Sequence, residues 1–322
     1  MSGARGASGA RGANGVRGAN GVRGASGVRG AGGGRRGGRW LKLSDRAIER
    51  LLMVVAFTSI AALLLITVFI FAGGLPVLVR TRVVGLVAGL RWAPTHGSFG
   101  ILPMLLGSLL VTGGALAVGV PLSLLCAVFL SEVAPARVAG LVKPAIEVLA
   151  GIPSVIYGFI GLIVLVPLIR TCLGGPGFSV LAAAVVLGVM ILPTLTSISY
   201  DALRAVPDAY REGAAALGAT RAQAIRMVLL PAARRGIVVA MILGLGRALG
   251  ETMAVIMVAG NATMIPSSLL DPVRTLTTNI ALELGYASGL HRDALFATGA
   301  VLFVMIMLLS LLAGFRPQRA RR

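Results

Sequence analysis

The sequence predicts an all-α polytopic membrane protein with six transmembrane helices, and three observations carry that expectation. The chain is 57% hydrophobic, with a mean hydropathy of +0.92, whereas a soluble domain is about 45–50% apolar. Long apolar stretches recur at 51–73, 99–130, 145–168, 178–199, 237–260 and 294–314. Each reaches the ~20 residues that cross a ~30 Å hydrocarbon core as a helix. A barrel strand would be about half as long and would alternate, which these do not. The third observation is charge placement. Of 30 Lys and Arg, 23 fall in residues 1–50, 131–144, 200–236 and 316–322, and only six lie in the alternating segments. The positive-inside rule then puts both termini and the 200–236 loop in the cytoplasm, as an even number of spans requires. This alternation also argues against nucleic acid as the reason for the net charge of +19.

Residues 1–50 form a basic tail in which Arg recurs every six positions, at Arg5, Arg11, Arg17, Arg23, Arg29 and Arg35. Gly, Ala, Ser and Asn between charges cannot build a core, so this tail is expected to be disordered. A polybasic tail can also lie against anionic lipid. The following apolar segment is too long for a signal peptide and lacks an A-x-A cleavage site, so it reads as a retained anchor. Residues 51–98 are the first span with its outer loop, where Arg80, Arg82 and Arg91 have no acidic neighbour.

The remaining spans belong to a transmembrane domain, residues 99–315, followed by a basic C-terminus at 316–322. Its second span holds the small-residue run GSLLVTGGALAVG, residues 107–119, which lets helices approach closely. Pro121, the GIPS stretch Gly151 to Ser154, and Pro193 interrupt the second, third and fourth spans. Such breaks are tolerated where the bundle interior or a cavity satisfies the freed backbone groups. Glu147, Ser154 and Tyr157, near the GIPS break, are secondary candidates for a polar pathway, with helix capping or packing as the plainer explanation. The two cysteines, Cys126 and Cys172, are not expected to pair. His96 and His291 fall in different outer loops without a ligand cluster, so no metal site is expected.

The fifth stretch carries the sharpest question. GLGRALGETMAVIMVAGN, Gly244 to Asn261, is apolar enough to span yet contains Arg247 and Glu251, four residues apart and on one face of a continuous helix. Counting from Ile237, Arg247 falls near mid-membrane. A charge there costs about 2.5–3.5 kcal/mol on insertion scales. One reading is a self-neutralising i,i+4 ion pair. The other is a transient anion site, in which Arg247 offers its planar donors to an oxyanion and Glu251 prevents trapping.

The cytoplasmic loop 200–236 contains REGAAALGATRAQAIRMVLLPAARRG, Arg211 to Gly236. Its spacing is Glu212-Gly213-Ala214, then Gly218, then nine residues, then Val228-Leu229-Leu230-Pro231. This resembles the EAA loop of bacterial ABC importer permeases, E-A-A-x3-G-x9-I-x-L-P, with Gly213 for Ala and Val228 for Ile. A short helix there, with Gly218 permitting a turn, suits docking on a soluble ATPase. Residues 45–315 are more specifically similar to phosphate-specific ABC importer permeases of the PstC type. The resemblance is carried by GLGRALGETMAVIMVAGN, by GSLLVTGGALAVGVPLSLLCAVFLSEVAP (107–135), by EVLAGIPSVIYG (147–158) and by ASGLHRDAL (287–295). The hexad tail and the short loop RTCLGGPGFS (170–179) depart from that family.

The resemblance implies a type I, MetI-like permease that pairs with a second homologous permease. It also implies two ATPase subunits and an extracytoplasmic phosphate-binding protein, with inorganic phosphate as substrate. Arg247 and Glu251 would serve translocation, and Glu212, Gly213, Ala214, Gly218, Leu230 and Pro231 would serve coupling to the ATPase. No P-loop is present: Lys42 and Lys143 follow Leu41 and Val142 rather than glycine. ATP and Mg are therefore expected on the partner, with no cofactor and no catalysis in this chain. Alternatives are a sulfate or molybdate permease, or an ion-coupled secondary transporter using Arg247 and Glu251 as a proton relay.

Overall fold

The computed structural model describes residues 45–314. The tail ahead of Asp45, expected to be disordered, and the basic C-terminus 316–322 lie outside the described residues. Two compact units divide between Ala56 and Phe57, and the helical bundle belongs to the second.

Among the described residues, six helices are long and apolar enough to span: Ala47–Arg80, Leu102–Val133, Ser154–Cys172, Val180–Arg204, Arg221–Gly250 and Leu290–Gly314. The first lies within α1 (Asp45–Ala88), so residues 45–50, expected in the tail, are helical. A 34-residue span is about 51 Å at 1.5 Å per residue, longer than the hydrocarbon core, and α1 kinks at Arg82, where φ is 57°. After α1, the short strands β1 (Trp92–Ala93) and β2 (Ser98–Phe99) pair antiparallel. They close a small lid at the end of the bundle where α2 (Leu102–Val128) begins.

Two boundaries differ from those that hydropathy predicts. Residues 145–150 do not open the third span. They end a separate helix, α3 (Ala136–Ala150), and the span starts beyond the break with α4 (Ser154–Ile160) and α5 (Val166–Cys172). Pro153 is extended (ψ 136°) and ends the apolar run without ending the apolar composition. Residues 237–260 are likewise not one helix. α9 (Leu230–Gly250) stops at Glu251, and α10 (Met253–Val258) follows as a separate piece.

Between α5 and α9 come α6 (Val180–Arg204), α7 (Asp208–Ala216) and α8 (Arg221–Ala224). The fifth span starts with α8, well before Ile237. It is continuous with α9 through a π-turn, Ile225–Leu229. The cause is Pro231, which cannot donate to the carbonyl four residues back, and the widened turn absorbs the lost bond. The same device joins α4 to α5, where Gly161–Leu165 is a π-turn just ahead of Pro167.

The core is built around α6, which packs on α2, α9 and α3, with α4 against α10. Ala182, Ala183, Leu187, Met190, Ile191 and Leu195 of α6 are fully or almost fully buried among apolar neighbours. Small residues set the spacing, as the 107–119 run predicts. A Cβ on Gly114 would lie 2.7 Å from the Ala184 Cβ, and one on Gly107 2.6 Å from the Arg274 carbonyl. The tightest constraint on α4 is Gly158, where a Cβ would fall 2.8 Å from the Ala254 Cα. Backbone cannot yield there, so Gly158→Val is expected to cost about 1–3 kcal/mol, seen as a lower Tm of the purified protein. Gly113, with open space around it, is the control: Gly113→Ala should leave Tm unchanged or raise it. Equal behaviour of the two variants would disprove the α4–α10 contact.

The loop between α10 and α11 (Leu276–Glu283) supplies carbonyls to the first amides of α6, beside its Ser179 cap. Val180 N donates to the Asp271 carbonyl (3.0 Å) and Leu181 N to Leu269 (2.9 Å). The Ser179 hydroxyl accepts from Ala182 N at 3.1 Å. The Asp271 carboxylate in turn accepts from Ser267 N and Oγ, both 2.8 Å, and Ser268 N at 2.9 Å. The Ser267 hydroxyl and these two amides hold its carboxyl below its ordinary value of 3.8. Because the folded value is the lower one, the tie is fully present above the unfolded value and is lost as pH falls through the folded one. Amide exchange at Ser267 and Ser268 should therefore lose protection below about pH 4, relative to Asp271→Asn, which has no such step. Parallel profiles for the two proteins would refute it.

Chain order along the bundle closes with α12 (Leu290–Gly314), which packs on α11 and α9.

Candidate translocation and coupling sites

Arg247 sits in the last turn of α9. The span Arg221–Gly250 has 30 residues, about 45 Å at 1.5 Å per residue, and the helix breaks at Glu251 while the apolar run continues into α10. The Arg247 side chain is exposed. Among the described residues it forms no ion pair. A cation at a helix C-terminus gains about 0.3–1 kcal/mol from the dipole. That is well under the ~2.5–3.5 kcal/mol cost of an intramembrane arginine.

The i,i+4 ion pair with Glu251, one of the two readings of the sequence, is not formed. Glu251 has extended backbone (φ −70°, ψ 132°) beyond the last helical residue, so the two side chains do not share a continuous helical face. Its Oε1 instead accepts from Ala254 N at 3.2 Å, capping the first turn of α10. Its backbone carbonyl accepts from the Thr277 hydroxyl at 3.0 Å, tying the break to the start of α11. In this structure the two side chains thus form no ion pair: Glu251 bonds backbone at the break, and Arg247 has no ion-pair partner among the described residues.

Of the secondary candidates, Ser154 and Tyr157 lie on α4, which packs on α10 beside this break. The Tyr157 hydroxyl is already used, donating to the Leu149 carbonyl across the GIPS turn at 2.9 Å. Glu147 is elsewhere. It lies on α3, outside the span, 3.8 Å from Lys143. Lys143 also bonds Asp201 at 2.8 Å and lies over the Tyr200 ring. The Asp201 carboxylate, ahead of a smaller opposing effect of burial, raises the Lys143 value. Glu147 therefore belongs to the charge network at the end of α6 that leads to α7, and the structure does not group it with Arg247.

The coupling segment forms two helices at the end of the bundle opposite the β1–β2 lid. Glu212 and Gly213 are exposed on α7 and Ala214 is buried beneath it. Gly218 has φ +76°, the left-handed turn that glycine adopts without strain. Thr220 and Gln223 then form a capping box that starts α8. Leu230 and Pro231 begin α9 directly after the π-turn. Two features here escaped the motif. Leu217 is 90% exposed at the tip and Met227 72%, an apolar pair on a polar end of the molecule. Arg211, just ahead of the motif, fastens α7 to two spans. Its guanidinium donates to both Glu132 oxygens (2.8 and 3.2 Å) and to the carbonyls of Leu203 (3.1 Å) and Val206 (2.8 Å). It also donates to Asp208 at 3.0 Å.

A second polar cluster, with no signal in the local sequence, closes the opposite end. Glu283 accepts from Arg274 (2.7 Å) and from the Trp92 indole (2.8 Å), and lies 2.8 Å from His291 Nε2. Trp92 and Glu283 are 191 positions apart, so no spacing within one segment points to the contact.

Comparison with known proteins agrees with this architecture. Residues 119–321 match the family described as binding-protein-dependent transport system inner membrane component. The chain is 43% identical over 273 residues to the probable ABC transporter permease protein YqgH of Bacillus subtilis, covering 83% of this chain and 88% of that one. It is 38% identical over 253 residues to the phosphate transport system permease protein PstC of Haemophilus influenzae, covering 71% and 80%. A chain of a bacterial ABC transporter involved in the import of the acidic polysaccharide alginate shares the fold. There the TM-score is 0.57 at 18% identity, over 86% of this chain and 99% of that one. By matched family, by identity over most of its length and by a six-span all-α fold, this chain belongs to the binding-protein-dependent transport system inner membrane component family, the membrane permeases of ABC transporters.

Proposed function

We propose that this inner-membrane permease subunit moves inorganic phosphate into the cell, and that Arg247 is the group its substrate meets at mid-membrane. The observation that carries the reading is the unpaired guanidinium at an intramembrane helix break, with the carboxylate four residues on turned away to cap α10. A planar, permanently charged fork suits a tetrahedral oxyanion, which it can bind through two donors at once. Because the neighbouring acid does not occupy it, the anion has no internal competitor, and because one arginine alone holds it, release stays easy. Glu251 acts here by keeping the break open, and Ser154 and Tyr157 by walling it. The PstC name of several relatives supports phosphate among oxyanions.

The chain works in this proposal with a second homologous permease, two ATPase subunits that bind ATP and Mg, and an extracytoplasmic phosphate-binding protein. The ATPase docks on α7 and α8 through Glu212, Gly213, Ala214 and Gly218, with Leu217 and Met227 as apolar anchors. Leu230 and Pro231 pass the movement into α9, whose last turn carries Arg247, so one rigid element runs from motor to substrate. Both termini and this loop face the cytoplasm, and residues 99–315 form the permease domain behind the first span.

The test is labelled phosphate uptake at micromolar concentration in phosphate-starved cells lacking their own high-affinity system and carrying this chain with its partners. Uptake should require ATP and persist in excess sulfate and molybdate. Competition by either anion would move the assignment to that anion, and uptake driven by an ion gradient without ATP would overturn the mechanism.

A further inference from the structure

A cavity on the outer face of the bundle belongs neither to the helix break nor to the coupling end. It is an apolar groove of about 320 Å³ between α1, α11 and α12, lined by Ile70, Ile280, Leu284, Phe296, Gly299 and Phe303, and extending to Ile306. On α12 its lining follows one stripe, Phe296, Gly299, Phe303 and Ile306, at helical spacing. One turn further out on the same stripe stands Arg292, exposed, its guanidinium over the Phe296 ring at 5.7 Å. Among the described residues no carboxylate lies within ion-pair distance of Arg292.

The geometry points to a binding site for one anionic phospholipid of the leaflet opposite the coupling loop, with its acyl chain in the groove and its phosphate on Arg292. Length supports this occupant. Phe296 to Ile306 rises about 15 Å, half of a ~30 Å core and so the depth of one leaflet. Polarity supports it as well, because the groove wall is apolar and a cation, Arg292, stands at its outer mouth, where a headgroup lies. Gly299 leaves the floor open: a Cβ there would only touch Ile70 at 3.6 Å and Ile280 at 3.9 Å. The wall is also firm. Gly74 of α1 fits against the α12 backbone at Ala297, where a Cβ would come within 2.8 Å, and Phe69 meets Phe296 edge to face. A filled groove would brace α1 against α11 and α12.

Native mass spectrometry of the purified full complex, titrated with phosphatidylglycerol or phosphatidylcholine, tests this. The wild type should hold one phosphatidylglycerol per copy of this chain in preference to phosphatidylcholine. Arg292→Gln should reduce that preference by about fivefold, the worth of one interfacial charge, while leaving assembly intact. Gly299→Leu fills the floor from a position with ordinary clearance and should abolish retention of both lipids. Equal retention of the two lipids by the wild type, or undiminished retention in Gly299→Leu, would overturn the site. So would stripping of phosphatidylglycerol by excess inorganic phosphate, which would make Arg292 a free-anion contact. An assembled complex that holds no lipid there, because the partner permease covers the groove, would overturn it too.

Discussion

Arg247→Gln is expected to lower phosphate uptake by one to two orders of magnitude without disturbing assembly of the complex. Hydrogen bonds to a charged group are worth about 1.5–3 kcal/mol, and about 1.4 kcal/mol is tenfold. Little structural cost accompanies the change, because the side chain is exposed and has no ion-pair partner among the described residues. Arg247→Lys keeps the charge but loses the two-donor fork, so it should fall between wild type and glutamine. Glu251 supplies the contrast. Glu251→Gln keeps an oxygen to accept from Ala254 N and should retain most uptake, whereas Glu251→Ala loses the cap of α10, at about 0.5–2 kcal/mol. Uptake by radiolabel, with size-exclusion chromatography to check assembly, separates these outcomes. Normal transport by Arg247→Gln would move the substrate path elsewhere. Equal loss in Glu251→Gln and Arg247→Gln would restore the paired reading.

Much of this architecture is written in local composition, and the failures have identifiable causes. The spans were legible because apolar length is a local property that the bilayer demands of each helix separately. The break at Glu251 was not, because GLGRALGETMAVIMVAGN contains no proline and its hydropathy continues unbroken through it. Spacing misled there: a carboxylate four residues after an arginine fits an i,i+4 pair, but the same carboxylate three residues before Ala254 also fits a cap, and the cap won. Glu147 was misplaced because AIEVLA is apolar enough to extend the third span, whereas Pro153 turns the chain and leaves Glu147 with Lys143. The turns of the 211–236 segment were readable because its glycine and Leu-Pro positions are backbone requirements, a left-handed turn and a π-turn. The Trp92–Glu283–His291 cluster was not, since its members come from three separate segments and only the folded chain joins them.

Arg211→Met is expected to be the most destabilising single change at the coupling end, and to uncouple ATP hydrolysis from transport. Glu132 lies at the end of the second span with its side chain only 9% exposed, and Arg211 is 23% exposed. Removing one partner of such a pair leaves a charge uncompensated and costs about 3–5 kcal/mol. Partial exposure of the arginine favours the lower end of that range. The Arg211 value is raised, chiefly by its bond to Glu132, and salt screens a partly buried pair little. The consequence reaches further than stability. Through Glu132 and the Leu203 carbonyl this one side chain fixes α7 to the second and fourth spans, and through the Val206 carbonyl to the turn that follows, so in the proposed coupling a push on Glu212 would reach both spans. Without it, the ATPase would move α7 against a loose hinge, and phosphate transported per ATP should fall several-fold while hydrolysis continues. The double variant Arg211→Met, Glu132→Leu removes the orphaned charge, so its Tm should recover above that of Arg211→Met alone. The transport ratio should stay low, because an apolar pair satisfies neither carbonyl and no longer locks α7. Strictly additive losses in Tm would show that Arg211 and Glu132 act independently. Recovery of transport with recovery of Tm would show that the clamp contributes stability alone.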